Sequence, residues 1–170
     1  MEKWLVMLYL IIILPSCVVH QLQNRKSEQP DGNFNNPLIT KLNDNIDFKN
    51  ILPDDIIDAT EYVINDANLI LEEILIIPDS LRTFNNTMLR LDDLYNTIAK
   101  VWNPVELLSS VSDNESIRTA CDENSMTFTE YFIELSSNEA LYMAVLTYSE
   151  SSEVQFLPNN RQRFLNSELR

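Results

Sequence analysis

A single glycine, Gly32, stands among the 170 residues of this chain, and it lies in a polar stretch. Phosphate-cradling loops and dinucleotide-binding turns need several glycines where backbone meets ligand, so both are excluded. Scarce glycine, abundant Leu and Ile, and long proline-free stretches favour helices joined by short turns.

The apolar spacing agrees. Pro53 followed by Asp54 and Asp55 is a helix start, with proline in the first turn and carboxylates near the positive end of the dipole. Ile56, Val63, Ala67, Ile70 and Ile74 then recur on one face until Pro78 ends the run. Phe84, Met88, Leu91, Tyr95, Ile98 and Trp102 alternate steps of four and three, which predicts a second helix. Tyr95 and Trp102 are expected to pair with Val63, Ala67 and Ile70 of the first. Asn103-Pro104 is expected to break this helix, leaving a short turn or helix from Val105 to Val111. A third long helix is predicted over roughly residues 114–135. Ser136-Ser137-Asn138-Glu139 has capping-box spacing and opens a fourth, with Leu141, Val145 and Tyr148 inward. Pro158 begins a last run in which Phe164, Leu165 and Leu169 share a face. No segment alternates like a half-buried strand, so the fold class is all-α, an antiparallel helical bundle-like array.

The N-terminus carries a different signal. Met1 to Cys17 reads MEKWLVMLYLIIILPSC. Lys3 and the terminal amine precede an apolar run from Trp4 to Leu14, too short for the roughly 20 residues that span a bilayer and right for the core of a signal peptide. Leu14-Pro15-Ser16-Cys17 resembles a bacterial lipobox, with Cys17 as the lipidation site. Residues 1–16 are thus read as a signal peptide and 17–36, rich in Gln, Asn, Ser and Lys, as a polar tether. Residues 37–170 are the helical region. The expected location is exported, a membrane-anchored bacterial lipoprotein of the periplasm or cell surface.

Charge and residue inventory narrow the chemistry. Twelve basic and 26 acidic residues give a formal net charge of -14, which argues against nucleic-acid binding. The only histidine, His20, lies in the tether, so no imidazole-based zinc site or catalytic triad can be assembled. Cys121 shares a helical stripe with Ile117, Phe128 and Phe132 and reads as a buried, inert thiol. Asp54-Asp55, Glu72-Glu73, Asp92-Asp93 and Asp122-Glu123 are paired in sequence. Neighbours on a helix point about 100 degrees apart, so these read as solvated faces rather than converging acid–base pairs. No catalytic and no metal-ligating residue is assigned.

Several stretches, taken in order, resemble the N-terminal region of the M3 family of zinc peptidases, the thimet oligopeptidase and dipeptidyl carboxypeptidase group. They are Asn36-Pro37-Leu38; Phe48-Lys49-Asn50-Ile51 leading to Pro53-Asp54-Asp55-Ile56; Thr83-Phe84-Asn85-Asn86-Thr87 with Leu91-Asp92; and Trp102-Asn103-Pro104-Val105 with Leu108, Ser110 and Val111. Ile117-Arg118, then Phe132-x-Glu134-Leu135-Ser136 with Asn138-Glu139-x-Leu141-Tyr142, complete the set. The resemblance implies the N-terminal part of a larger, mostly helical two-domain peptidase, whose helices wall a channel admitting short peptides. It also implies zinc in the full-length enzyme, held by an H-E-x-x-H helix and a further Glu. None of those residues is in this chain, so no catalytic role carries over and the chain alone is expected to be inactive. The helical pattern still running at Arg170 fits a region incomplete at its C-terminus. A free-standing helical lipoprotein that binds a peptide or protein partner is the rival expectation.

The lipobox reading has a direct consequence. In a bacterium fed a labelled fatty acid, the wild type should take up label and partition with membranes, and Cys17→Ala should lose both. Equal labelling of the two proteins would count against the anchor.

Overall fold

Helix α1, Pro53–Leu75, begins where the sequence expects it. Asp55 is the reason: its Oδ2 accepts the Leu52 N–H at 2.8 Å, satisfying one of the donors that a helix start leaves orphaned. A second clamp comes from upstream. Asn36 Nδ2 donates to the Asp55 carbonyl at 2.7 Å, and its Oδ1 accepts the Leu38 N–H at 2.9 Å. Leu38 and Ile51 are thereby seated in the core. The computed structural model describes residues 35–40 and 44–170; Cys17, His20, Gly32 and most of the tether lie outside them.

At the far end of α1, Arg82 Nη1 donates to the Ile74 carbonyl at 3.0 Å while its Nε meets Asp79 at 3.0 Å. The guanidinium thus sits at the negative end of the helix dipole. One wide, π-type turn, Phe84–Met88, then feeds helix α2, Leu89–Val111. Its start is a reciprocal cap. Thr83 Oγ1 accepts the Asn86 N–H at 3.3 Å, and Asn86 Oδ1 accepts the Thr83 N–H at 2.7 Å. Asn86 Nδ2 also holds the Leu81 carbonyl at 2.8 Å, so the turn is fixed from both sides.

Helices α3, Glu115–Ser136, α4, Glu139–Ser149, and α5, Asn159–Glu168, follow, and among the described residues every regular element is helical. Helices α1, α2 and α3 pack on one another in all three pairings. Along α2 and α3 the numbering runs in opposite senses: Ser109 meets Asp122, Trp102 meets Phe128, and Tyr95 meets Phe132. That register defines an antiparallel hairpin. The all-α helical array is as expected.

Three local expectations are corrected. Pro104 does not end α2 but lies buried inside it, and the helix runs on to Val111. An interior proline costs roughly 3 kcal/mol. Burying Val105 beside the proline and Leu108 one turn further on returns about 1.5–3 kcal/mol each, so continuation wins. Second, the cap of α4 is Asn138, whose Oδ1 accepts the Leu141 N–H at 2.9 Å. Ser136 instead belongs to α3 and donates to the Ile133 carbonyl. Third, Tyr95 and Trp102 stack against Phe128 and Phe132 of α3, while Leu91 and Ile98 of their stripe are buried in the core that α2 shares with α1. The residues that point to the main core are Leu91, Leu94, Ile98, Val101 and Val105, all fully buried or nearly so.

A lock joins the turn before α2 to the segment after α4 and to α5. Glu153 Oε2 accepts the Phe84 N–H at 2.9 Å, and the Arg161 guanidinium lies 4.5 Å from the centroid of the Phe84 ring. Tyr148 meets the same ring edge-on at 6.5 Å. The packing predicts a steep contrast between positions. Ile98→Ala should lower unfolding free energy by roughly 2–5 kcal/mol in urea titrations, and Met126→Ala, 66% exposed, by less than about 0.5 kcal/mol.

Candidate functional site

The paired acids do not converge on a common point; their members turn to different partners. Glu73 and Asp93 both engage Arg90, from α1 and α2 respectively. Asp92 accepts from Asn96 on its own helix, and Asp122 accepts the Ser109 hydroxyl across the α2–α3 hairpin at 2.5 Å. Two of these eight carboxylates, Glu73 and Asp122, therefore join helices rather than merely solvating a face. Nothing in single-sequence spacing distinguishes the two uses, because the partner is on another helix. Among the described residues no group of three His, Cys, Asp or Glu could hold a metal ion, so the donor set for zinc is not met by them.

Cys121 is fully buried in the core, beside Ile117 and Phe128. Burial pushes its thiol up to about 11, with Asp122 and Glu106 adding to the effect. At neutral pH it is an apolar thiol, not a nucleophile. Cys17, the one assigned modification site, lies outside the described residues.

The feature that the sequence reading missed is a cleft of about 530 Å³ between α1 and α3. Ile57, Thr60, Glu61, Ile64 and Asn65 line one side, on successive turns of α1. Glu123, Asn124 and Thr127 line the other. Two of these are polar residues sunk in an apolar seam: Thr60 is 1% exposed and Asn124 8%. Each satisfies itself on its own helix, Thr60 Oγ1 donating to the Ile56 carbonyl and Asn124 Nδ2 to the Ala120 carbonyl, both at 2.8 Å. A signal was available: Thr60 and Asn124 interrupt the apolar stripes of their helices at core positions.

Most of the conspicuous motif residues, by contrast, are fasteners. Asp55, Thr83, Asn86 and Asn138 cap helix starts, Asn36 clamps the entry to α1 by donating to the Asp55 carbonyl, and Arg118 ties the α2–α3 turn by donating to the Ser112 carbonyl at 2.7 Å. The model of the neurolysin/thimet oligopeptidase N-terminal domain matches residues 67–170. This chain belongs to that family. Oligopeptidase A of Haemophilus influenzae is similar to it, at 29% identity over 106 residues, which is 62% of this chain and 15% of that protein. The chain thus spans a small fraction of the length of the curated relative it matches. The family match begins inside α1, and the capped turn Thr83–Thr87, the α2–α3 hairpin and the α5 tether all fall within it.

That tether is Tyr95, whose hydroxyl donates to Glu168 Oε2 at 2.7 Å and so ties α2 to α5. Burial first, and then the Glu168 carboxylate, raise its pKa above the ordinary 10. Burial also pushes Tyr131 up to about 12, and burial with the nearby Glu153 carboxylate does the same for Tyr148. Each of these groups, like Cys121, keeps its proton in the folded state at a pH where the unfolded chain has released it. The folded state then binds more protons, so stability falls as pH rises. The window opens near the ordinary 9.0 of Cys121 and extends to about 12 for the tyrosines. The urea midpoint should be level up to about pH 9 and decline beyond it. Tyr95→Phe should start roughly 1–2 kcal/mol lower and decline less steeply; a level midpoint through pH 11 would contradict the assignment.

Proposed function

We propose that this chain supplies the N-terminal helical region of an M3-type zinc metallopeptidase acting on short peptides. The observation that carries the reading is the family match over residues 67–170, whose turns and caps are accounted for by named hydrogen bonds. In this reading α1 to α5 are a wall of the substrate channel. A wall must hold its shape while peptides pass. The Arg90 bridge between α1 and α2, the Tyr95–Glu168 bond and the Phe84–Glu153 lock give the array cross-ties suited to that task.

The chemistry belongs elsewhere in the enzyme. No H-E-x-x-H occurs among the 170 residues, and the described side chains do not fit a zinc ion. Zinc would be held by the catalytic region of the full-length protein, where it would supply an activated water. The helices described here shape access to that site and contribute no group to bond cleavage.

We further propose that residues 1–16 are a signal peptide, that residues 17–36 are a polar tether, and that residues 37–170 are the helical region. Cys17 would carry the lipid, holding the enzyme at a bacterial membrane with its peptide channel outside the cytoplasm. The family match supports the peptidase-region reading over a free-standing binding lipoprotein and does not bear on the anchor.

Two measurements test the proposal. Purified chain supplied with zinc and a quenched fluorescent peptide should show no chelator-sensitive cleavage. Chelator-sensitive cleavage, in a preparation cleared of contaminating peptidase, would mean that these helices hold catalytic groups after all. Sequencing the gene downstream should find an H-E-x-x-H helix in the same reading frame. A stop codon there with no peptidase-coding sequence beyond would favour the binding lipoprotein.

A further inference from the structure

The segment from Glu153 to Leu169 is fastened to the other helices by few groups. It holds the short turn Val154–Phe156 and α5. Of its apolar side chains only Leu157 and Leu165 are buried, with Val154, Phe164 and Leu169 packed partly against the core. Phe156, 80% exposed, adds nothing. Helices α1, α2 and α3, by contrast, bury an apolar stripe along most of their length.

The polar ties fall near the two ends of the segment. At one end Glu153 accepts the Phe84 N–H and Arg161 lies over the Phe84 ring. At the other, Glu168 accepts the Tyr95 hydroxyl. Between them the segment is bound to itself. Gln162 Nε2 donates to the Leu157 carbonyl at 2.9 Å and reaches the Val154 carbonyl at 3.5 Å, so the turn and α5 are joined into one body.

Closure also leaves buried hydroxyls without partners at both ends. Ser151 Oγ lies just before Glu153, and Tyr131 Oη is close enough to Tyr95 to add to the rise in its pKa; neither has a hydrogen-bond partner among the described residues. A buried donor without an acceptor carries a cost that is relieved when water reaches it. The closed arrangement is therefore held by two leucines and a few ties, against a standing penalty at each end.

We propose that residues Glu153 to Leu169 form a strap that lifts off as one cooperative unit while α1 to α4 stay folded. The closed form is the ground state and the open form a minor one. Opening bares the Phe84 amide and the Tyr95 hydroxyl, and so changes the surface around the start of α2 without disturbing the main core. The strap needs no catalytic region and stands apart from the peptidase reading.

The test is native-state hydrogen exchange on the full chain, under conditions where the rate reports the opening equilibrium. The amides of Arg163 to Glu168 should share one protection, lower than that of Leu94 to Val101 in α2. Glu153→Ala, which lies outside α5, should speed them on the order of fivefold, and Tyr95→Phe should do the same. Each change raises the closed ground state, so the α2 amides should speed by the same factor. Ile98→Val separates the two units. It weakens the core and leaves the strap seam alone, so exchange should be roughly three- to tenfold faster in α2 and unchanged in α5. Protection that declines stepwise toward Glu168 would mean simple fraying of a helix end. Equal acceleration of α2 and α5 by Ile98→Val would mean that α5 leaves only with the whole fold. Either result would overturn the proposal, as would α5 amides that are unprotected or indifferent to Glu153→Ala.

Discussion

Helix α2 has to bury apolar surface on two sides at once, and the rest of the array is arranged around that demand. One sector, from Leu91 through Ile98 to Val105, fills the main core with α1. The adjacent sector carries Tyr95 and Trp102, which stack on Phe128 and Phe132 of α3. A helix this broadly apolar is unstable in water by itself, since isolated helices gain little without packing. Both neighbours must therefore be held in register, and the fasteners do that. Arg90 pins α1, Ser109 and Asp122 pin α3, and Glu168 brings α5 onto Tyr95.

The same demand explains Pro104. A proline in an ordinary exposed helix would end it, because the missing N–H and the ring clash outweigh anything gained beyond. In α2 the stripe continues past the proline into buried Val105 and Leu108, so the packing term prevails. Reading the dipeptide Asn103-Pro104 alone gives the opposite answer. The helices and their order were legible, apart from the run of α2 past Pro104, because periodicity is a local property of sequence; of the caps, the start of α1 was read correctly and that of α4 was placed two residues early. What was illegible depended on the partner: which side of α2 Tyr95 faces, which acids bridge helices, and where two buried polar residues leave a cleft. Thr60 looks like one more weak helix former until Asn124 is placed beside it.

The conspicuous sequence motifs of this chain are structural. They are turns, caps and cross-ties, and none of them is a group that reacts. Thr83 and Asn86 satisfy each other's backbone, Asn36 clamps the entry to α1, and Arg118 closes a corner. Such residues fix where each helix starts and how its neighbours meet it. The acidic excess sits outside this pattern, on exposed faces where many side chains serve equally well.

The Phe84–Glu153 hydrogen bond joins residues 69 positions apart, and Tyr95–Glu168 spans 73. Closing loops of that length has an entropic cost that must be met before either contact can repay it. The α1–α2 and α2–α3 hairpins close over far shorter separations. The order of assembly that follows is hairpins first and α5 last, with the Phe84 turn completed only when the chain returns to it. Pulse-labelled hydrogen exchange during refolding would read that order directly, as late protection of the Phe84 amide relative to those in the middle of α2.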